Sequence, residues 1–341
     1  MNRKSFVGSA LAIMAGGCLP LKKTLAAEAD GPYVQPPFLQ PGDLIGITSP
    51  AGHITIEEVG PAASLMKEWG YEIRLGQAIG KKDFGFGGTD EERRADLQQM
   101  LDDPKIKAIM CARGGYGAVR IVDGLDWRKF IAKPKWIIGF SDITVLHNHI
   151  HTRCRVASIH SKMTNSFPDD WTKADPVQAD TILSIRNALA GKPVQYPVTA
   201  NPRNRPGAAG GILVGGNLKT LESVAGTPSD IDTAGKILFV EDTGEYLYSI
   251  DRMFWNLKRT GKLAKLKGLV VGGFKIKPDD PGEEFGRSLF DIVLEKVKEF
   301  SYPVCFDFPV GHQKANYAMK CGVWHTLSVA EQSVYLKEGK A

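Results

Sequence analysis

Cysteine is scarce in this chain, and no pair of cysteines has the spacing of a zinc site. The 341 residues include five cysteines, and none forms a C-x-x-C pair. A structural zinc site is therefore not predicted. Cys111 falls within a predicted buried strand, where it is interpreted as a small core residue, and Cys154 is isolated. Cys305 and Cys321 are a candidate disulfide pair if the protein is exported, although the sequence alone does not establish the pairing.

Dense blocks of basic charge are also absent. The chain has 43 Lys and Arg residues against 38 Asp and Glu residues, and its net charge of +5 is spread along its length. Nucleic-acid-binding proteins usually carry a basic stripe, so nucleic acid is not predicted as a partner. Acidic and basic residues alternate in segments such as Glu91-Glu92-Arg93-Arg94, a pattern typical of a solvated helix face. The hydrophobic content of 43% is ordinary for a soluble globular protein, and the length suits two domains.

No apolar run at the N-terminus is long enough to span a membrane. Phe6–Leu21 is apolar apart from small residues, and it falls short of the ~20 residues that a membrane span needs. Positive charge precedes it at Asn2-Arg3-Lys4, and small residues suited to cleavage follow near Ala26 and Ala27. This pattern predicts a secretory signal peptide over residues 1–27 and a periplasmic protein.

Cys18 offers a second route of export. Ala15-Gly16-Gly17-Cys18 resembles a lipoprotein cleavage box but lacks the leucine that usually stands three positions before the cysteine. A lipid anchor at Cys18 is therefore the alternative to a soluble exported protein, and a cytoplasmic location is the remaining one. Residues 28–42 are Pro-rich and are interpreted as a linker.

Strands alternate with helices in the first half of the chain. Helical patterns run through Leu65, Met66 and Trp69 and from Glu91 to Met100. The predicted strands are Asp43–Thr48, Tyr71–Leu75, Lys107–Ala112 and Trp136–Phe140. Such alternation predicts an α/β domain over residues 43–165, with a mostly parallel sheet and helices on both faces.

The second half has a different pattern. Residues 166–210 are polar and Pro-rich and are predicted to connect two domains, with one helix at Pro176–Leu189. Residues 211–335 are predicted to form a smaller, β-rich domain with a helix around Ile250–Leu257. Its predicted strands are Ile212–Val214, Lys236–Val240 and Leu269–Val271, with glycine pairs after the first and the last of them.

A candidate nucleophile follows the strand Trp136–Phe140. Gly139 stands two positions before Ser141, and an amphipathic segment begins at Asp142. A serine at such a strand-to-helix corner presents its hydroxyl at the carboxyl edge of the sheet, as in a nucleophile elbow. The pattern is G-x-S-D rather than G-x-S-x-G, so the alternative is that Ser141 simply caps the helix.

A serine nucleophile needs a base and a group that orients the base. Among seven histidines, His312 stands at a turn after the strand-like run Val304–Phe308. Glu241 follows the apolar strand Ile237–Val240, where a carboxylate is costly unless it is paired. Alternatively, His312 is a surface turn residue and Glu241 caps the turn that follows it.

The loop Arg113-Gly114-Gly115-Tyr116-Gly117 follows another strand. Its glycines permit positive φ angles and can present N–H groups, so Gly115 and the N–H of Asp142 are candidate oxyanion donors. A phosphate site is not indicated, because neither G-x-G-x-x-G nor a Walker lysine is present. Arg113 is either a ligand for a substrate carboxylate or a structural residue under the loop.

His147-Asn148-His149-Ile150-His151 is the strongest metal-like motif. On a helix, His147 and His151 share one face while His149 points away, so three-ligand binding is not predicted.

Six short motifs together resemble the LD-carboxypeptidases, a serine peptidase family that includes the murein tetrapeptide carboxypeptidase and the microcin C self-immunity protein. The resemblance covers residues 43–330 in the family's order. The motifs are Ala112-Arg113-Gly114-Gly115-Tyr116-Gly117, Gly139-Phe140-Ser141-Asp142-Ile143-Thr144, Gly215-Gly216-Asn217-Leu218, Glu241-Asp242, Ile250-Asp251-Arg252 and Gly311-His312.

The resemblance implies a fold and a chemistry. It implies a Rossmann-like N-terminal domain, a β-barrel-like C-terminal domain and frequent homodimers, with no cofactor. It also implies that Ser141 is the nucleophile, His312 the base and Glu241 its orienting residue. The hypothesis that follows is an exported serine carboxypeptidase that releases the terminal D-Ala of a murein tetrapeptide. A microcin C-type amide hydrolase and a non-catalytic peptidoglycan-peptide-binding protein are the alternatives.

Two features depart from the family. It often has His-Gly-Pro-Met where this chain has His160-Ser161-Lys162-Met163, so the local substrate contacts are open. Most members are cytoplasmic, whereas this chain has an export pattern, and export does not fit the microcin-type role.

Overall fold

The computed structural model describes residues 33–339 of the chain. The predicted signal peptide, Cys18 and residues 28–32 of the predicted linker lie outside the described residues. Within residues 33–339, no helix is both long enough and apolar enough to cross a membrane. These residues belong to one compact unit that contains two sheets, and the domain boundaries at 43–165 and 211–335 stay a prediction.

The strands and helices of residues 33–339 are numbered in chain order. The strands are β1 (Leu44–Thr48), β2 (Glu72–Leu75), β3 (Ile106–Cys111), β4 (Trp136–Gly139), β5 (Ser158–His160), β6 (Gln195–Thr199), β7 (Gly207–Asn217), β8 (Ile237–Thr243), β9 (Gly268–Lys275), β10 (Val304–Cys305), β11 (Met319–Cys321), β12 (Trp324–Val329) and β13 (Ser333–Glu338). The helices are α1 (Ile56–Glu68), α2 (Asp90–Asp102), α3 (Arg128–Ala132), α4 (Thr144–His149), α5 (Pro176–Leu189), α6 (Leu218–Ser223), α7 (Leu247–Arg259) and α8 (Leu289–Lys296).

The first sheet has six strands in the order β11-β5-β4-β3-β1-β2. Strands β1 to β5 pair in parallel, and β11, from near the end of the chain, pairs antiparallel with β5. The order 2-1-3-4-5 is that of a doubly wound sheet whose direction reverses between β1 and β3. Ligands of such sheets bind outside the carboxyl ends of the strands, near that reversal. The predicted α/β class with a mostly parallel sheet is confirmed.

Apolar side chains cover both faces of this sheet, as its uninterrupted apolar strands predict. Along β4, Trp136 and Ile138 pack with helices α1 and α5 on one face, while Ile137 packs with α2 on the other. The helix predicted at Pro176–Leu189 has those bounds, because Asp175 accepts hydrogen bonds from the first free N–H groups and Pro176 suits the first turn.

The second sheet has seven strands in the order β10-β9-β8-β7-β12-β13-β6. Strands β7 to β10 are parallel, and β7, β12, β13 and β6 are antiparallel neighbours. The sequence predicted fewer strands here, because short, half-exposed strands such as β12 and β13 lack the continuous apolar runs that identified the others. Helices α7 and α8 cover one face of this sheet.

Two local predictions were wrong. The segment after Asp142 is not amphipathic, because every residue of α4 is buried, and α4 packs against α6 and β7 as well as against the short turns around it. The predicted strand Val304–Phe308 is a regular strand only at Val304–Cys305. There, the Phe306 N–H donates to Asn204 Oδ1 and Asp307 takes a left-handed conformation with φ of 55°, which ends the strand.

Candidate active site

Ser141 lies at the corner between β4 and a 3₁₀ turn at Ser141–Ile143. Its φ is 62°, a left-handed conformation that is uncommon and strained for a residue other than glycine. A capping residue has extended backbone angles, and that position is filled by Phe140 with φ of −151°. The alternative that Ser141 caps the helix is therefore wrong. The strained corner is the geometry that a nucleophile elbow requires.

The glycine loop after β3 lies directly against this corner. A Cβ placed on Gly114 would come within 3.0 Å of Ser141 Cβ and 3.3 Å of its Oγ. Gly115 and Gly117 have φ angles of 93° and 137°, which only glycine adopts easily. The Gly114 carbonyl accepts a hydrogen bond of 2.8 Å from the N–H of Gly52. The loops that follow β1 and β3 therefore meet beside Ser141.

The Asp142 side chain fixes the same loop to the elbow. Its Oδ2 accepts a hydrogen bond of 2.8 Å from the Ala118 N–H, and the backbone of Gly117 also donates to it. Burial raises the pKa of the Asp142 carboxyl to about 6, while these hydrogen bonds and the charge of Arg93 act in the opposite direction. The sequence indicated a role for the backbone of Asp142 and missed this role of its carboxylate.

Arg93 is a second support that the sequence missed. The alternating charges around it predicted a solvated position, but Arg93 is fully buried. Its Nη1 donates to the carbonyls of Pro50, after β1, and of Gly117, at 2.9 Å, and it pairs with Asp90. A buried guanidinium is stable when its donors are satisfied in this way. Arg93 thereby connects the loop after β1 with the loop after β3, the two strands between which the sheet reverses direction.

Glu241 and His312 meet at the ends of elements in the second sheet. His312 Nδ1 lies 2.6 Å from Glu241 Oε2, and the His312 N–H donates to the same oxygen at 3.2 Å. Glu241 is fully buried, and its Oε1 has no hydrogen-bond partner within residues 33–339. The two contacts to His312 therefore satisfy one oxygen of this buried carboxylate, whose burial would be costly without a partner. Neither a surface turn histidine nor a turn-capping acid describes the pair.

Glycine allows this close approach. A Cβ on Gly311 would lie 2.4 Å from Glu241 Cβ, and Gly311 has φ of 102°. The Gly311 N–H donates to Asn316 Oδ1 at 2.8 Å, which holds the turn that carries His312. The glycine before His312 is therefore required by packing as well as by backbone conformation.

The His312 ring lies beside the corner that carries Ser141. Its centre is 4.9 Å from that of the Phe140 ring, and Phe140 immediately precedes Ser141. The Ser141 hydroxyl has no hydrogen-bond partner among the described residues. Contacts between nucleophile and base are often loose before substrate binds. The structure thus brings Ser141, His312 and Glu241 into one region, with the Glu241–His312 contact formed.

A polar contact joins α4, the helix after Ser141, to the second sheet. The Asn217 N–H donates to Thr144 Oγ1 at 3.1 Å, and Asn217 Nδ2 donates to Asp242 Oδ1 at 3.0 Å. A Cβ on Gly216 would come within 2.5 Å of Thr144 Oγ1. Burial raises the pKa of Asp242 to about 6. This contact couples the position of Ser141 to that of Glu241, which is next to Asp242.

Arg113 is exposed, and its Nη1 donates to the His53 carbonyl at 3.1 Å. This contact gives it a structural partner in the loop after β1.

The histidines of the segment His147–His151 form hydrogen bonds in the interior of the protein. His147 Nε2 contacts the Gly139 carbonyl at 2.9 Å, His151 Nε2 contacts Ser158 Oγ at 3.0 Å, and His149 Nδ1 contacts Ser229 Oγ at 2.9 Å. Within residues 33–339, no three His, Cys, Asp or Glu side chains are grouped as metal ligands. Cys111, Cys154, Cys305 and Cys321 are buried free thiols, so Cys305 and Cys321 are not joined.

Both halves of the chain are similar to one family. A family model described as LD-carboxypeptidase N-terminal domain matches residues 45–161, and one described as LD-carboxypeptidase C-terminal domain matches residues 210–327. A probable murein peptide carboxypeptidase of Bacillus subtilis is 33% identical over 307 residues, which cover 89% of this chain and 95% of the relative. A murein tetrapeptide carboxypeptidase of Pseudomonas aeruginosa is 30% identical and covers 82% of this chain and 91% of its own length. The crystal structure of muramoyltetrapeptide carboxypeptidase from Oxalobacter formigenes has a TM-score of 0.76 at 29% identity and covers 87% of this chain and 99% of that one.

Proposed function

Because this chain belongs to the LD-carboxypeptidase family of serine peptidases, we propose that it hydrolyses the bond before the terminal D-Ala of a murein tetrapeptide, with Ser141, His312 and Glu241 as its catalytic residues. The observation that supports this assignment most strongly is the contact of 2.6 Å between His312 Nδ1 and a fully buried Glu241, beside a serine on a strained corner. The relatives named for murein peptides support the substrate class.

The reaction follows from these positions. Ser141 Oγ attacks the carbonyl carbon of the scissile amide, and His312 Nε2 takes the hydroxyl proton, while Glu241 stabilises the imidazolium through Nδ1. N–H groups of Gly115 and Asp142 bind the oxyanion. The C–N bond then breaks, and His312 gives its proton to the leaving amine of D-Ala. Water attacks the acyl ester, loses a proton to His312 and releases the tripeptide, and Ser141 regains its proton.

Release of D-Ala from a defined murein tetrapeptide by the purified protein tests this proposal. We expect stoichiometric release of D-Ala and the tripeptide, and none from a tetrapeptide that ends in L-Ala. Tight binding without release, together with no labelling of Ser141 by a serine-reactive phosphonate, would instead identify a non-catalytic peptide-binding protein.

Gly114→Ala is expected to lower kcat by about 10²-fold, because misplacement of reacting groups by about 1 Å has an effect of this size. The added methyl group would lie 3.0 Å from Ser141 Cβ and would displace the nucleophile or the loop. The measurement is kcat for D-Ala release, with the melting temperature as a check on folding. Gly85→Ala is the matched control, because a Cβ there has nothing within 4 Å. An unchanged kcat for Gly114→Ala would show that the contact is not strained.

Treatment with EDTA is expected to leave D-Ala release unchanged. The histidine motif has its ring nitrogens directed at Gly139, Ser158 and Ser229 rather than at one another, and zinc needs convergent ligands. Activity is measured before and after chelation and dialysis. Loss of activity that added zinc restores would contradict the serine mechanism.

We further propose that the protein acts outside the cytoplasm. Residues 1–40 fused to a reporter that functions only after export are expected to give signal. Cys18→Ser distinguishes a lipoprotein from a soluble exported protein. A lipoprotein would lose its association with the membrane, whereas a protein cleaved near Ala27 would be unaffected. We favour the soluble protein. A reporter that stays in the cytosol would contradict both.

The expected homodimer is tested separately. Sedimentation of the purified protein at micromolar concentration is expected to give twice the mass of the single chain, and a monomer at these concentrations would contradict it.

A further inference from the structure

The segment after β5 lies against the residues of the proposed site. Strand β5 ends at His160, which is paired in register with Gly139 of β4. The Ser161 N–H donates to the Gly139 carbonyl at 3.1 Å, and Thr164 Oγ1 donates to the Ala112 carbonyl at 2.9 Å. Residues 161–164 are therefore held against both the nucleophile corner and the start of the glycine loop. Lys162 lies in the middle of this segment, where the family often has proline.

The Lys162 ammonium lies near the chain neighbours of both Ser141 and His312. Its Nζ donates to the Gln313 carbonyl at 2.8 Å, and Gln313 follows His312. The same nitrogen lies 5.7 Å from the centre of the Phe140 ring, and Phe140 precedes Ser141. A positive charge is thus held where the two catalytic segments approach each other.

This lysine lacks the partner that other buried lysines have. Lys236, Lys296 and Lys320 are each ion-paired with a carboxylate, and Lys135 donates to two carbonyls. Lys162 is half-buried and donates to one carbonyl, and none of the acids in residues 33–339 lies within ion-pair distance of it. An ammonium has three donors, so two of its N–H groups remain for a ligand. Burial lowers the pKa of Lys162, and the charge of Glu241 opposes this effect.

We propose that Lys162 binds the α-carboxylate of the residue that is released, and so restricts hydrolysis to the end of the peptide. This inference rests on the proposed function. The α-carboxylate of the leaving residue is attached to the carbon next to the scissile nitrogen, and that nitrogen must face His312 to receive its proton. A cation beside Gln313 is therefore on the leaving-group side of the bond. Arg113, the other candidate, is on the opposite loop and has the His53 carbonyl as a partner.

Binding to a Ser141→Ala background tests the inference without hydrolysis. Calorimetry compares two tetrapeptides that differ only in the last group, a free carboxylate or a carboxamide. The Ser141→Ala protein is expected to bind the free acid about ten-fold to a hundred-fold more tightly, as one charge-assisted hydrogen bond allows. Adding Lys162→Met should remove that preference and leave the affinity for the carboxamide within about two-fold of that of the Ser141→Ala protein. Lys162→Arg in the same background should restore part of the preference.

Each other outcome has a definite meaning. If Lys162→Met still prefers the free acid, Lys162 is not the ligand and the inference is overturned. If Lys162→Met loses affinity equally for both peptides, Lys162 only positions the loop at Gln313, and the inference is again overturned. Loss of the preference in Arg113→Met alone would assign the carboxylate to Arg113. Lys129→Met, an exposed position on α3, controls for the change in net charge. If the Ser141→Ala protein binds neither peptide, the proposed function itself fails, and the inference fails with it.

Discussion

Ser141→Ala is expected to reduce kcat for D-Ala release by about 10⁶-fold, the scale of loss on removing the nucleophile of a serine hydrolase. The fold should be retained, because the hydroxyl has no hydrogen-bond partner within residues 33–339 and its removal leaves no buried group unpaired. Alanine also keeps the Cβ that packs against Gly114. The measurements are kcat and the melting temperature, which should stay within a few degrees of that of the unaltered protein.

Ser301→Ala provides the control for this variant, because Ser301 is exposed and lies far along the chain, before β10. Its activity should equal that of the unaltered protein. More than a few per cent of residual activity in Ser141→Ala would remove Ser141 from the mechanism, provided that contamination by unaltered protein is excluded by mass spectrometry.

Glu241→Gln is expected to reduce kcat by about 10⁴-fold while KM stays nearly constant, as in other triads whose acid is replaced by an amide. The glutamine side chain fits the same space and can still contact Nδ1, but it carries no charge to stabilise the imidazolium. Both contacts from His312 reach one oxygen of Glu241, and the amide oxygen can accept both, so the expected loss comes from the missing charge. The measurement is a full steady-state analysis with the tetrapeptide.

Glu299→Gln, at a partly exposed ion pair with Lys258, is the control for the loss of one carboxylate and should leave kcat unchanged. If Glu241→Gln raised KM and left kcat intact, Glu241 would be a substrate ligand, and another group would have to orient His312.

The strained corner at Ser141 was predictable because its signals are local. A buried strand, a glycine and a serine lie within a few residues of one another at Trp136–Ser141, and the left-handed φ of Ser141 is the expected outcome of that arrangement. Glu241 and His312 are 71 residues apart, and each also fitted an ordinary turn. Their positions after predicted strands made them candidates for a base and its orienting residue, and the order of the family's motifs implied the same roles, but no local pattern reports which strand ends come together.

The supporting residues were hidden for a related reason. Arg93 stands among alternating charges, which usually indicates solvent exposure, and the carbonyls of Pro50 and Gly117 that satisfy it come from two distant loops. The carboxylate of Asp142 acts on a loop 24 residues earlier in the chain. A sequence pattern indicates which face of a single helix or strand is buried. These side chains are buried because several helices, strands and loops from distant parts of the chain meet around them.

Strand β11 has a consequence for the synthesis of this protein. The edge of the first sheet at β5 is completed by Met319–Cys321, which leave the ribosome only after five of the seven strands of the second sheet have been made. Until then, the backbone groups along that edge of β5 have no strand to pair with, and an open edge invites pairing with other chains. A gene fragment that stops within residues 166–210 would leave this edge permanently open. We therefore expect the two sheets to be inherited, expressed and engineered as one piece, although their family models divide the chain in two.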